Sequence, residues 1–346
     1  MDVSQSGGEL AGGPERPNLA KPCCAPSAAR DLKAGCCCAS AGVELPVPAA
    51  GSMRDATRRM VALPSGTFLM GSDYGGGFPA DGEGPVRPVS LSHFAIDVYP
   101  VTNEDFSAYA EETGYQTDAE KFGWSFMFWA HISRYRYDEL VEDTVASAPW
   151  WCKVRGACWK HPEGPGSNVK QRARHPAVHI SWNDAASYAH WAGKSLPTEA
   201  QWEYAARGGL EQKIYPWGDE LTPGGRHLCN IWQGEFPTCD TAEDGYAGTC
   251  PVDSFPANGY GLYSVTGNAW EWCSDWFGTR FRAKPALRDP VGPAKGDGKV
   301  MKGGSFLCHA SYCNRYRVGA RTGNTPDSSS SNIGFRCVRL DAGGAS

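Results

Sequence analysis

The first 52 of the 346 residues contain no Phe, Trp or Tyr, so all 13 Trp, 14 Tyr and 13 Phe lie from Met53 onward. A segment rich in Ala, Gly, Ser and Pro without aromatic anchors cannot bury enough apolar surface to offset its ordering entropy. Residues 1–52 are therefore expected to be disordered, ahead of one domain over 53–340 and a short flexible tail over 341–346. A basic surplus is also missing: 33 Lys and Arg face 38 Asp and Glu, the net charge is −5, and Lys/Arg runs stop at two residues. Binding to a phosphate backbone has no electrostatic basis on that balance, which excludes nucleic acid as a partner. No stretch approaches the roughly 18 uncharged apolar residues that span a bilayer. Met1 to Asn18 has neither the basic nor the apolar region of an export signal. The expectation is a soluble chain, not exported and without a membrane partner. C-x2-C, the usual half-site of structural zinc, does not occur either.

What the sequence has in quantity is 42 Gly and 25 Pro, which predicts a mixed α/β domain with little regular secondary structure and its function on loops. Three helices are predicted. Thr102 to Asp105 opens one, with Phe106, Tyr109 and Ala110 on a shared face and Gly114 as its stop. Asn183 is the expected cap of a second that ends at Gly193. Thr198-Glu199-Ala200-Gln201 is a capping box for a third, which Gly208 and Gly209 end. Short apolar strands are expected at Thr67–Met70, Phe94–Val98 and Val178–Ile180. The N-terminal segment also carries Cys23, Cys24, Cys36, Cys37 and Cys38. No His or acidic ligand completes a metal site there, so the expectation is a thiol-bearing tail without a dedicated role.

Cys308 and Cys313 stand five positions apart. A helix would point them about 140° apart and a strand would place them on opposite faces, so only a turn converges their sulfurs. A converged pair has three uses: a reversible disulfide, two inert thiols, or two thiolates holding a soft ion such as Cu(I). Spacing alone favours the first two, because isolated cysteines are usually small core hydrophobes.

The surrounding residues resemble the formylglycine-generating enzymes, the sulfatase-modifying factor family, in a bacterial-type form. The likeness is carried by Leu196-Pro197-Thr198-Glu199, Asn230-Ile231-Trp232-Gln233-Gly234, Gly267-Asn268-Ala269-Trp270-Glu271-Trp272, Gly303-Gly304-Ser305, and Cys308-His309 with Ser311-Tyr312-Cys313. It continues through Arg315-Tyr316-Arg317 and the stretch from Ala320 to Cys337. The resemblance implies a C-type-lectin-like fold and oxidation by O2 of a cysteine within a Cys-X-Pro-X-Arg motif of an unfolded sulfatase, giving Cα-formylglycine. It implies Cu(I) at Cys308 and Cys313, with the substrate thiolate joining them, then O2 reduction, hydrogen abstraction from the substrate Cβ and hydrolysis of a thioaldehyde with loss of sulfide. Ser305 is implied on the oxygen side, and His309, Tyr312, Ser329 and Asn332 around the substrate. Independent chemistry agrees, since O2 is spin-forbidden for direct attack on a thiol and the sequence offers soft ligands rather than a 2-His-1-carboxylate iron pattern.

Two Ca2+ sites also come with the resemblance. The first would use the Asn230 side chain, the Ile231 carbonyl, Asp244 and the Tyr246 carbonyl, an all-oxygen set suited to a hard cation. The second would use the Gly267 and Ala269 carbonyls and Glu271, with Ser264 where the family often has Asn. Positions that carry paired cysteines in secretory members are Ala189, Ala206 and Val318 here, which leaves Cys337 without its family partner. That pattern implies a reducing, cytoplasmic location. The remaining cysteines of the domain are expected to be free thiols, with Cys239 and Cys250 the one pair left open to bridging. An acidic position that some members use for the substrate arginine corresponds to Trp124. Two rivals share the fold. A non-catalytic lectin-like binding module would not need Cys308 and Cys313, and an iron-dependent sulfoxide synthase needs a His-rich leading domain, whereas residues 1–52 contain no His.

Overall fold

The computed structural model describes Pro26, residues 59–279 and residues 287–340. The disorder expected over 1–52, the cysteines in that segment and the tail over 341–346 lie outside the described residues. Pro26 is the exception; it is buried, and its carbonyl accepts a hydrogen bond from Asn324.

The described architecture is a set of small sheets joined by long loops, with short helices packed on them. Met60–Leu63 and Val338–Arg339 flank Phe94–Asp97 as antiparallel neighbours, so the two ends of the domain meet on one strand. Gly66–Met70, Arg87–Leu91 and Leu287–Arg288 form a second sheet. Trp124–Phe128, Ala148–Arg155 and Val141–Val145 form a third. The sheet that carries the site is four-stranded, in the order Thr322–Asn324, Lys299–Lys302, Trp270–Trp276, Ile333–Gly334.

The helices start where the capping chemistry places them. Thr102 and Thr198 each accept from the backbone of the residue three positions on, and Asp105 and Gln201 return the bond to the cap nitrogen, giving helices Asn103–Thr113 and Glu199–Arg207. The second predicted helix, Trp182–Trp191, is capped by Ser181 with Asp184 in the return position rather than by Asn183. Asn183 instead sends its side-chain amide to Asp118. Val178–Ile180 is not a strand. His179 at its centre has a φ of 60°, which breaks an extended run, and its ring is fully buried between Ser125 and the Pro162 carbonyl. Thr198→Ala is expected to cost about 1 kcal/mol through loss of the cap, seen as a lower denaturation midpoint at unchanged m-value.

Of the four packed clusters among the described residues, two are large. One gathers Phe106, Tyr109, Tyr188, Trp270, Trp272 and Phe335, and it includes Cys308 and Cys313. The other gathers Leu63, Val89, Phe94, Ile96 and Trp202. Between them runs a chain of buried ion pairs. Glu199 pairs with Arg321 at 2.6 Å, Glu203 with Lys302 at 3.0 Å and Arg207 at 2.7 Å, and Glu271 with Arg336 at 2.6 Å. Burial alone would push the Glu203 carboxyl up, but Lys302 and Arg207 outweigh it and hold it at about 2. This lattice ties the helix Glu199–Arg207 to the strand Lys299–Lys302 that leads into the thiol loop.

Candidate active site at the Cys308–Cys313 turn

After Lys302 the chain leaves the sheet through Gly303 and Gly304, both at positive φ. A Cβ on Gly304 would lie 2.9 Å from the Tyr316 Cα, so the backbone path there requires glycine. Ser305 then turns the chain, with the Cys308 N–H donating to its carbonyl at 2.9 Å. The His309 carbonyl accepts from the amides of Tyr312, Cys313 and Asn314 at 3.1, 2.8 and 3.0 Å, and Asn314 takes a φ of 43°. This tight turn brings the two sulfurs to 2.8 Å, with Cys308 1 % and Cys313 0 % exposed. Neither is in a disulfide.

The polar surroundings of the sulfurs are ordered. The Ser305 N–H donates to the Cys308 Sγ at 3.3 Å. The Ser305 Oγ accepts from the Asn332 side-chain amide at 2.9 Å and the Leu307 N–H at 3.3 Å. Its own proton is thereby left to donate, and the Cys308 Sγ lies 4.0 Å away. Ser330 donates to Asn332 Oδ1 at 2.7 Å and so fixes which end of the amide faces Ser305. Arg315, on the exit from the turn, pairs with Asp81 at 2.5 Å.

The structure therefore joins Cys308, Cys313, Ser305 and Asn332 directly. Tyr312 stacks on Phe236 with centroids 4.3 Å apart and meets Trp150 edge-on at 5.1 Å, forming an aromatic flank beside the turn. His309 is half-buried, bonds Ser311 at 2.8 Å, and has its pKa lowered by burial. Ser329 shares a 2.8 Å hydrogen bond with Ser125, and Ser125 one of the same length with the His179 ring. Ser125, His179, Trp150 and Phe236 were not predicted as site residues. They sit far away in sequence, in segments with no motif, so only the fold brings them to the turn.

The first calcium set fits a hard cation. Asn230 Oδ1 is buried without a partner among the described residues. Both Asp244 oxygens already accept backbone N–H groups, from Ile231 and Tyr246, at 3.0 Å each. The Gln233 amide, a residue the sequence did not single out, donates to both Asp244 and the Ile231 carbonyl, so a donor sits where oxygen ligands converge. Burial pushes the Asp244 carboxyl up. The second set does not fit in the same way. Ser264 donates its hydroxyl to the Val252 carbonyl at 2.8 Å. Both Glu271 oxygens accept from Arg336, at 2.6 and 2.7 Å, and the Trp202 indole adds a third bond at 2.7 Å. The only carboxylate of that set is thus neutralised by a guanidinium. A Cβ on Gly267 would sit 2.1 Å from the Asn230 carbonyl, and Ala269 is buried. Cys239 is exposed while Cys250 is buried, and neither is bridged.

No helix among the described residues is long and apolar enough to cross a membrane. Residues 48–340 match the Sulfatase-modifying factor enzyme 1-like domain. The Formylglycine-generating enzyme of Thermomonospora curvata is 60 % identical over 290 residues, which cover 83 % of this chain and 95 % of that protein. The Formylglycine-generating enzyme of Streptomyces coelicolor is 57 % identical over 282 residues, covering 82 % and 89 %. Among solved structures, PvdO from Pseudomonas aeruginosa is similar at 28 % identity with a TM-score of 0.59, covering 81 % of this chain and 93 % of PvdO. A paired-thiol turn on this scaffold, matched over nearly the whole described domain by such relatives, makes the chain an enzyme of the formylglycine-generating, sulfatase-modifying factor family.

Proposed function

We propose that this chain oxidises a cysteine within a Cys-X-Pro-X-Arg segment of an unfolded sulfatase to Cα-formylglycine, with O2 as oxidant and Cu(I) held by Cys308 and Cys313. The observation that carries the proposal is the pair of buried sulfurs drawn to 2.8 Å by the turn closed on the His309 carbonyl. The names of its relatives support the product, and the family description supports sulfatases as clients. A bound Cu(I) ion would supply the one-electron chemistry that lets ground-state O2 react with a thiol.

The residues of the chain prepare that chemistry. The Ser305 N–H bonds the Cys308 sulfur, and the Asn332 amide holds the Ser305 hydroxyl beside it. Burial of both thiols keeps water from the sulfurs. The Tyr312 and Phe236 stack with Trp150 gives an extended peptide an apolar wall to lie on. His309 follows Cys308 in the turn and bonds Ser311, and burial lowers its pKa. Electrons balance as follows. The substrate Cβ and sulfur lose two electrons and two protons to give a thioaldehyde, to which water adds as sulfide leaves. O2 takes four electrons, so two more come from a thiol reductant.

Copper-loaded protein incubated with a Cys-X-Pro-X-Arg peptide, O2 and dithiothreitol is expected to convert the peptide thiol to an aldehyde, read by mass spectrometry. Absence of aldehyde while Cu(I) is bound would sink the proposal. Calcium is proposed for the Asn230, Ile231, Asp244 and Tyr246 set alone. Asp244→Ala or chelation is expected to lower Tm by several degrees, with activity at low temperature nearly unchanged. A wild-type Tm that ignores added calcium, in protein shown by elemental analysis to be calcium-free, would remove that site. A reducing, cytoplasmic location is proposed because none of the nine described cysteines is in a disulfide.

A further inference from the structure

The two sulfurs are held from different directions. On the Cys308 side the anchors are the Ser305 N–H on the sulfur, Asn332 on the Ser305 hydroxyl, and the Trp232 N–H, which donates to the Cys308 carbonyl at 3.1 Å. Cys313 instead leads into the exit segment Asn314–Arg317. Closure at the His309 carbonyl is soft by itself, because three amides share an oxygen with two lone pairs. What grips the exit segment comes from 234 to 238 positions earlier in the chain.

Residues 72–83 form a loop without strand pairing among the described residues, and its ends meet where the Ser72 N–H donates to the Glu83 carbonyl at 3.0 Å. It engages the exit segment almost residue by residue. The Gly76 carbonyl accepts from the Asn314 side-chain amide at 2.9 Å, Asp81 pairs with Arg315 at 2.5 Å, and Glu83 takes Arg317 in a fork of 2.6 and 2.7 Å. Phe78 lies under the Arg315 guanidinium at 3.9 Å and Tyr74 under that of Arg317 at 5.1 Å. Asp81, Glu83, Arg315 and Arg317 are all buried, with exposures between 2 and 6 %. Arg315 also donates to the Cys313 carbonyl at 3.4 Å, so this pair ends on the residue that carries the second sulfur. The loop is tied down in turn by Arg321, which bonds the Asp81 carbonyl at 2.9 Å and the Glu199 carboxylate at 2.6 Å.

We infer that the 72–83 loop is a positioning strap: through Asp81 and Arg315 it holds Cys313 at the distance from Cys308 that capture of a soft ion by two thiolates requires. The identity of the ion rests on the Cu(I) reading given above, whereas the spacing of the sulfurs does not. Asp81 acts through Arg315, and Arg315 acts through the Cys313 backbone. A guanidinium suits the task because it is planar and spends separate N–H groups on the two partners, Nε on Asp81 and Nη1 on Cys313. Loosening the strap lowers the effective concentration of one sulfur for the other. Two observables follow that quantity: the affinity for Cu(I), and the equilibrium constant for a Cys308–Cys313 disulfide in a glutathione buffer.

The test uses the full chain at fixed pH. Asp81→Asn strands the Arg315 charge and lowers stability as well, so the deciding variant removes both charges, Asp81→Leu with Arg315→Met. Apolar replacement of a buried pair returns most of the stability, but it does not return the bond to the Cys313 carbonyl. The double variant is expected to keep a Tm near wild type. Its Cu(I) affinity, from competition with a chelator, and its disulfide equilibrium constant, from alkylation and peptide mapping, are each expected to fall at least about tenfold. Phe78→Leu keeps both charges, removes only the ring under the guanidinium, and is expected to move both observables the same way by about threefold. It decides the matter if the double variant does not fold. Thr198→Ala, destabilised away from the turn, is expected to leave both observables unchanged, which a role in general stability would not. A disulfide equilibrium in the altered proteins equal to that of wild type would overturn the inference, as would a wild type that forms no Cys308–Cys313 disulfide at any glutathione ratio. If no form of the protein binds Cu(I) while the disulfide equilibrium still falls in the variants, the strap stands and the copper reading fails.

Discussion

Cys308→Ser and Cys313→Ser are each expected to bring aldehyde formation down to the level of a protein-free control. Serine keeps the shape of the turn, whose closure depends on backbone bonds to the His309 carbonyl rather than on sulfur. It replaces a soft ligand by a hard hydroxyl that Cu(I) binds poorly. Both positions are buried within the larger core cluster, so each hydroxyl costs a modest desolvation, on the order of 1 kcal/mol. Circular dichroism should therefore remain native while activity vanishes. Copper stoichiometry, measured against a Cu(I) chelator, separates this from a disulfide role. A metal pair loses tight copper binding in both variants, whereas a purely redox pair loses activity with no copper dependence in the wild type. Near-normal turnover in either variant would refute the metal pair.

Much of this site was legible in the sequence because its parts are local. Cys308, Cys313 and Ser305 lie within nine residues, and the requirement for a turn followed from helix and strand geometry alone. The capping boxes at Thr102 and Thr198 were equally readable, since each is decided within four residues. The second helix start was misplaced by two positions, because Ser181 and Asn183 are both good caps and only Asp184 at the return position distinguishes them. Val178–Ile180 misled for a different reason: its apolar pattern is that of a strand, but the His179 ring is committed to Ser125 and Pro162, and the backbone follows the ring. The ion-pair lattice could not be read at all. Leu-Pro-Thr-Glu and Gly-Phe-Arg are recognisable as motifs, yet nothing local states that Glu199 meets Arg321 across 122 positions or that Glu271 meets Arg336 across 65. Those residues hold the scaffold under the turn, and Glu271 is the case in which a motif residue taken for a cation ligand proves to be an ion-pair partner.

That assignment carries the second large effect. Glu271→Ala removes both carboxylate oxygens from Arg336 and the acceptor from the Trp202 indole. The Arg336 side chain is fully buried, so among the described residues its charge would lose the carboxylate paired with it and keep bonds to the carbonyls of Asp97, Val98 and Tyr263. Breaking a buried pair from one side costs about 3–5 kcal/mol, and for a domain of this size that lowers Tm by roughly 10 °C. The loss should be the same with calcium present or chelated, whereas the Asp244→Ala loss should depend on calcium. Removing both charges together, as Glu271→Leu with Arg336→Met, is expected to recover a large part of the stability, because the stranded charge and not the missing pair is what costs most. Urea denaturation at saturating and zero calcium measures wild type and the three variants on one scale. A Glu271→Ala midpoint that matches wild type without calcium and falls below it only when calcium is added would return Glu271 to the role of a cation ligand.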